Sequence, residues 1–215
     1  MNNHIAIAID GPAASGKSTL AKCLAERLGL IMVNSGAMYR AITWKALQRG
    51  VDPQDEAGIA SLLYQLDIQC GSHGILSTIS IDGADPGTEL RSEGVNANVS
   101  AVSAIPVVRK RLIDLQRGYL DHSSLVMEGR DIGSVVFPET PYKIYVTANE
   151  AVRAKRRGDD GEVDSIAARD AADSQRKTAP LVVAKGATIL DNSEHTIESG
   201  LDAALDILKQ QGLEA

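Results

Sequence analysis

Residues 5–18 read Ile-Ala-Ile-Ala-Ile-Asp-Gly-Pro-Ala-Ala-Ser-Gly-Lys-Ser, and from Gly11 to Ser18 they match the pattern GxxxxGK[ST]. A short apolar run precedes the glycines, and apolar residues at helical spacing follow them as far as Leu28. The stretch therefore predicts a strand, a phosphate-binding loop and a helix in succession. In such a loop backbone N–H groups face phosphate oxygens, Lys17 reaches the β and γ phosphates, and the Ser18 hydroxyl can ligate Mg²⁺.

Strand and helix patterns alternate along most of the remaining chain, which is typical of a parallel α/β sheet. Further strands are predicted at residues 31–33, 124–128, 143–147 and 188–190, and helices at residues 37–48 and 107–120. Two strand-like runs, 66–70 and 75–81, have only turn residues between them and predict a small antiparallel insertion. We expect one domain, residues 1–215, with a five-stranded parallel sheet flanked by helices.

The composition is that of an ordinary globular protein, with 44% hydrophobic and 23% charged residues. A net charge of -6 argues against broad binding to nucleic acid or membrane surfaces, because such binders usually carry a basic face. No apolar run approaches the roughly 20 residues of a membrane span, and the first residues lack the features of a signal peptide. We therefore expect a cytoplasmic protein without nucleic-acid or membrane partners, and separately we expect a monomer. The two cysteines and four histidines predict neither a disulfide framework nor a metal cluster.

A phosphate loop alone leaves motor proteins, molecular switches and kinases open. The guanine-reading tetrad NKxD of GTPases does not occur in the sequence. Val126-Met127-Glu128 resembles the strand end of many ATPases, but Gly129-Arg130-Asp131 follows it, so it is weak support for a motor.

The number of arginines favours a kinase that binds two phosphorylated substrates next to each other. Two unit charges 4 Å apart repel by about 4 kcal/mol at an effective dielectric of 20, and guanidinium groups bind phosphate in a planar, two-pronged fashion. The candidates are Arg40, Arg109, Arg130, Arg153, Arg157, Arg169 and Arg176. Arg169, Asp173 and Arg176 would share one face of a helix, which fits either a binding surface or a solvated row of salt bridges.

In five motifs the chain resembles the bacterial-type cytidylate kinases. These enzymes belong to the nucleoside monophosphate kinase group of P-loop kinases. The motifs are IAIDGPAASGKST at residues 7–19, SGAMYR at 35–40, VSAIPVVR at 102–109, EGRDIGSVVFP at 128–138 and RD…DSQR at 169–176. The resemblance covers nearly the full length. It implies a P-loop kinase fold with a core at about 1–60, 104–150 and 178–215. A nucleotide-binding insertion would occupy about 61–103, and a short lid about 151–177.

The resemblance also implies roles for individual residues. ATP would contact Gly11, Pro12, Ala13, Ala14, Ser15, Gly16, Lys17, Ser18, Thr19, Arg153 and Arg157. The acceptor would contact Ser35 and Gly36, with Arg40, Arg130 and Arg176 on its phosphate, Arg169 and Asp173 on its ribose, and Ser100, Arg109 and Asp131 on its base. Lys17, Arg130 and Arg157 would be catalytic, and Ser18 would be the ligand of the Mg²⁺ cofactor.

The implied base-binding residues suit cytosine. Its N4 amine donates to a carboxylate such as Asp131, and its N3 and O2 accept from Arg109 and Ser100, whereas uracil would place an acceptor against Asp131. The expected reaction converts ATP and CMP, with dCMP as a further acceptor, to ADP and the diphosphate. The alternatives are a kinase for another nucleotide or small metabolite, and a nucleotide-gated binding module.

Three features stay open on sequence grounds. Asn34 stands where relatives often have Asp, and the lid between Arg157 and Arg169 is short and acidic. Glu128 would order Arg130, hold Mg²⁺-bound water, or cap its strand, and the sequence does not choose among these.

Overall fold

The computed structural model describes residues 4–159 and 180–214. The predicted ribose- and phosphate-binding residues Arg169, Asp173 and Arg176 lie outside these residues, as does the side chain of Arg157. The assignments of residues 61–103 to an insertion and 151–177 to a lid stay predictions.

One sheet of seven strands organises the described chain. The strands are β1 (Ala6–Asp10), β2 (Ile31–Asn34), β3 (Ile68–His73), β4 (Leu76–Ile81), β5 (Leu125–Gly129), β6 (Lys143–Thr147) and β7 (Thr188–Asp191). Their order across the sheet is β3-β4-β2-β5-β1-β6-β7. β3 and β4 pair antiparallel, and the other neighbouring strands pair in parallel. The predicted α/β fold and its five parallel strands are confirmed.

The predicted number of five strands in the sheet is wrong, because the antiparallel hairpin β3–β4 joins the main sheet. Leu76, the first residue of β4, pairs with Met32 of β2. The N–H of Met32 also donates to the carbonyl of Ile75 at 2.6 Å. These contacts satisfy backbone groups along the open edge of β2, so the hairpin extends the sheet to seven strands.

Seven α-helices pack around the sheet in the described residues. They are α1 (Lys17–Leu28), α2 (Ser35–Gln48), α3 (Glu56–Gln65), α4 (Glu93–Ala104), α5 (Pro106–Gly118), α6 (Glu150–Asp159) and α7 (Ile197–Gln210). A π-helical turn spans Ile132–Val136, and short 3₁₀ helices span Gly87–Arg91 and Tyr119–Asp121. The predicted helices correspond to α1, α2 and α5, and α3, α4, α6 and α7 are additional to them. None of these helices is long and apolar enough to cross a membrane.

The core positions the carboxyl ends of the central strands. All five residues of β1 and all five of β5 are buried, as expected for strands covered on both faces. Ile7 and Ile9 pack with Leu24 of α1 and Leu208 of α7 on one face of the sheet. A second cluster fills the space between α2, α3, α4 and α5. The segments that follow β1, β2 and β5 therefore meet at one edge of a rigid sheet, where ligands bind in open α/β folds.

Candidate active site

A cavity of about 580 Å³ opens at this edge of the sheet. Its donor side is lined by Ala13, Ala14, Gly16, Lys17, Ser18 and Thr19, all predicted to contact ATP. Its acceptor side is lined by Ser35, Gly36, Arg40, Ser100, Arg109, Arg130 and Asp131, all predicted to contact the acceptor. The fold thus brings these members of the two predicted sets together around one space, whereas the predicted residues Gly11, Pro12, Ser15 and Arg153 do not line it.

The phosphate loop, residues 11–18, owes its shape to left-handed backbone conformations. Ala14 has φ 57° and Gly16 has φ 90°. Alternation of right- and left-handed residues turns successive N–H groups toward one point, which is how such loops bind anions. A Cβ atom on Gly11 would lie 2.0 Å from the carbonyl oxygen of Val146, so a side chain does not fit there.

Lys17 lies in the loop with two partners close to its ammonium group. Nζ donates to the carbonyl of Pro12 at 3.1 Å and lies 4.0 Å from Oε2 of Glu128. Both side chains are buried, and Glu128 lies on β5 just before Gly129. The sequence did not indicate this contact between Lys17 and Glu128. Lys17 follows β1 and Glu128 lies on β5, and the pairing of these two strands brings the residues together.

The acceptor side is built around a buried ion pair. Nη2 of Arg109 donates to Oδ2 of Asp131, and Nη1 donates to the carbonyl of Ser103 at 3.0 Å. The guanidinium lies 5.5 Å from the centre of the Tyr39 ring. The predicted base-binding residues Arg109 and Asp131 thus hold each other in place. Ser103 and Tyr39 also line the cavity, and both stand in the quoted motifs although neither was among the predicted site residues.

Asn34 caps the helix that carries part of the acceptor side. Its side-chain oxygen accepts from the N–H of Ala37 at 2.9 Å, at the start of α2. Asn and Asp are equally good N-cap residues, so an Asn at this position can cap the helix as well as an Asp. The hydroxyl of Ser35 donates to the carbonyl of Glu128 at 2.7 Å, which ties α2 to β5.

Two residues that the sequence did not indicate contact the phosphate loop from the side of α6 and β7. Arg156 donates to the carbonyls of Ser15 at 3.2 Å and Asn192 at 2.8 Å. Nδ2 of Asn192 donates to the carbonyl of Ser15 at 2.9 Å. The predicted residue Arg153 donates to the carbonyl of Ala13 at 3.3 Å. The signal for Arg156 is its spacing of three from Arg153, which puts both on one helix face.

Asp10 is a buried carboxylate at the end of β1. Its Oδ1 accepts from the N–H of Ile132 at 2.8 Å, and its Oδ2 from the N–H of Gly133 at 2.7 Å. Burial raises the pKa of Asp10 to about 6, although the two N–H donors oppose this shift. Nearby Asp131 raises the pKa further, and Arg130 lowers it.

The donor set is compatible with Mg²⁺. Among residues 4–159 and 180–214, no group of three His, Cys, Asp or Glu residues could hold a metal by itself. Mg²⁺ in kinases typically takes one or two protein ligands, and water and substrate phosphates complete its coordination. The hydroxyl of Ser18 and the carboxylate of Glu128 line the same cavity, so the residues present suit that arrangement.

A phosphate loop between β1 and α1, at a cavity that several arginines also line, defines a P-loop kinase. The family model described as cytidylate kinase matches residues 7–210. The chain belongs to the cytidylate kinase family.

Individual relatives agree with this assignment. A cytidylate kinase of Streptomyces avermitilis is 38% identical over 218 residues, covering 96% of this chain and 94% of the relative. A cytidylate kinase of Mycobacterium leprae is 41% identical over 219 residues, covering 96% of each. A crystal structure of a protein from Thermus thermophilus is similar in fold, with a TM-score of 0.50, 17% identity, and coverage of 98% of this chain and 99% of that one.

Proposed function

We propose that this protein transfers the γ-phosphoryl group of ATP to CMP, and also to dCMP, giving ADP and the diphosphate. The observation that carries the proposal is one cavity that both the phosphate loop and the Arg109–Asp131 pair line. Membership of the cytidylate kinase family supports the identity of the acceptor.

On the donor side, the proposal assigns the triphosphate to the N–H groups of residues 11–18 and to Lys17. Phosphate oxygens would replace Glu128 and the Pro12 carbonyl as partners of the Lys17 ammonium, because a charged oxygen at hydrogen-bond distance outcompetes a carboxylate 4.0 Å away. Mg²⁺, held in part by Ser18, would supply further positive charge to the phosphate oxygens. We propose that Arg153, Arg156 and Arg157 contribute from α6.

On the acceptor side, Arg40 and Arg130 line the cavity and are proposed to hold the phosphate of CMP. The other acceptor residues predicted from the family, Arg169, Asp173 and Arg176, lie outside the described residues and stay proposals. Asp131 accepts from Arg109, and because a carboxylate can accept several hydrogen bonds, it can accept the N4 amine of cytosine as well. Ser100 and Arg109 would donate to O2 and N3.

The chemistry then needs no protein nucleophile. A phosphate oxygen of CMP attacks the γ-phosphorus in line, the bond to the β-phosphate oxygen breaks, and the cations stabilise the charge that develops. Positioning of the two anions against their mutual repulsion would be the main contribution of the protein.

The net charge of -6 supports free nucleotides as the substrates, because nucleic-acid and membrane binders are usually basic. Since ATP and CMP are metabolites of the cell interior, we propose a cytoplasmic location. The monomeric state stays a prediction.

A coupled assay of ADP release tests the proposal with CMP, dCMP, UMP and AMP as acceptors. Turnover should depend on CMP or dCMP, and Lys17→Ala and Arg130→Ala should each lower kcat/KM by at least about a hundredfold. Arg27→Ala is the control, because this arginine is exposed at the end of α1, away from the cavity. ATP hydrolysis that is unaffected by any acceptor would instead favour a nucleotide-gated binding module.

A further inference from the structure

We propose that Asp10 is a positioning residue that fixes the acceptor loop, residues 130–133, relative to the phosphate loop. The inference rests on the proposed function, since it concerns how CMP is held. Asp10 is the last residue of β1 and immediately precedes Gly11. It therefore connects β1, the strand that precedes the phosphate loop, to the segment that carries Arg130 and Asp131.

The contacts of Asp10 leave its carboxylate little freedom. The residue is 4% exposed, and its backbone pairs with Gly129 of β5 and Tyr145 of β6. Each carboxylate oxygen accepts one N–H, from Ile132 at 2.8 Å and from Gly133 at 2.7 Å. These donors belong to the first residues of the π-helical turn, where N–H groups lack partners within the helix. Asp10 thus acts as the cap of that turn although it lies on another strand.

These two hydrogen bonds also fix the position of Asp131, which directly precedes the capped residues Ile132 and Gly133. Its side chain holds Arg109, and the pair forms the proposed cytosine-reading wall. With Ile132 and Gly133 fixed to β1, the backbone of Asp131 has a set distance from the phosphate loop. That distance has to match the separation between the base of CMP and the γ-phosphate of ATP, and small displacements of reacting groups slow catalysis strongly.

A carboxylate fits this place better than a neutral side chain of equal size. Two N–H donors converge on Asp10, and only a deprotonated carboxylate offers a full acceptor to each without adding a donor. An Asn would place its own NH₂ against one of the two N–H groups. Burial of the charge near Asp131 opposes folding above the raised pKa of Asp10, and the positioning of Ile132 and Gly133 would account for this cost.

Asp10→Asn is the variant that tests the inference, because it keeps the size of the side chain. We expect KM for CMP to rise about tenfold, the effect of losing one hydrogen bond to a charged group. We expect KM for ATP to change less than about twofold, because Arg156 and Asn192 also hold the phosphate loop. The preference for CMP over UMP should fall with the loss of Asp131 positioning.

Thr140→Val is the matched control. The Thr140 hydroxyl donates to the carbonyl of Ala6 and joins β1 to the segment after the π-helical turn at the opposite end of the strand. This variant loses that bond and the one that the hydroxyl accepts from the N–H of Tyr142 at 3.3 Å, without touching the acceptor loop, so its KM for CMP should equal that of the wild type. An unchanged KM for CMP in Asp10→Asn, or an equal rise in Thr140→Val, would overturn the positioning role. Wild-type enzyme without CMP turnover would instead refute the proposed function.

Amide hydrogen exchange keeps the inference testable should Asp10→Asn not fold. In the wild-type protein, the N–H groups of Ile132 and Gly133 should exchange as slowly as those of β1, because each donates to a buried carboxylate. Fast exchange at both positions in the wild type would contradict the capping geometry and with it the proposal.

Discussion

Replacing Asp131 by Asn would leave the Arg109 guanidinium buried without its carboxylate. The two side chains are 4% and 7% exposed, so water can compensate for only a small part of the missing charge. Breaking a buried ion pair from one side typically costs about 3–5 kcal/mol. Arg109 retains its bond to the Ser103 carbonyl and its contact with the Tyr39 ring, so we expect the lower end, about 3 kcal/mol. The free energy of unfolding of native proteins is about 5–15 kcal/mol, so the variant should still fold.

The measurement is a double-mutant cycle by urea unfolding. Asp131→Asn and Arg109→Met are made singly and together, and the free energy of unfolding is compared. The double variant should lose clearly less than the sum of the single losses, because it buries neither charge. A loss below about 1 kcal/mol in Asp131→Asn, or additive losses in the double variant, would refute the buried pair as the organising contact of the acceptor side.

The same variant has a second consequence for selectivity. An Asn at position 131 can donate to O4 of uracil, which the Asp131 carboxylate repels. The ratio of kcat/KM for CMP to that for UMP should therefore fall by about tenfold or more, since each such mismatch changes binding by about 1.4 kcal/mol or more. If this ratio equals that of the wild type, the Asp131 carboxylate does not contribute to the recognition of the base.

Two further predictions concern the donor side and the buried carboxylate. Arg156→Ala removes bonds to the carbonyls of Ser15 and Asn192, so KM for ATP should rise about five- to tenfold in steady-state kinetics while KM for CMP changes little. The folded-state pKa of Asp10, about 6, lies above its ordinary 3.8, so its stabilising contribution is complete below pH 3.8 and is lost as the pH rises through 6. The free energy of unfolding of the wild type relative to Asp10→Asn should thus drop by about 3 kcal/mol between pH 3.5 and pH 7.5 in urea titrations, and parallel pH profiles would contradict it.

The features that the sequence alone predicted are those that depend on neighbouring residues. The strand, phosphate loop and helix from Ile5 to Leu28 follow from glycine positions and apolar spacing within a single stretch. The five parallel strands and the pairing of the β3–β4 hairpin were also predictable, because each has a local apolar pattern or turn. The motif resemblance named the acceptor residues, and those in the described part of the chain line one cavity.

The tertiary structure decided which distant groups meet. The hairpin joins β2 because that strand has an open edge, a matter of strand order and not of local pattern. Asn192 reaches Ser15 across 177 positions of sequence, and Asp10 reaches Ile132 across 122. Glu128 faces Lys17 for the same reason, since β5 lies beside β1. Such contacts depend on the order in which strands assemble, and short-range periodicity carries no information about that order.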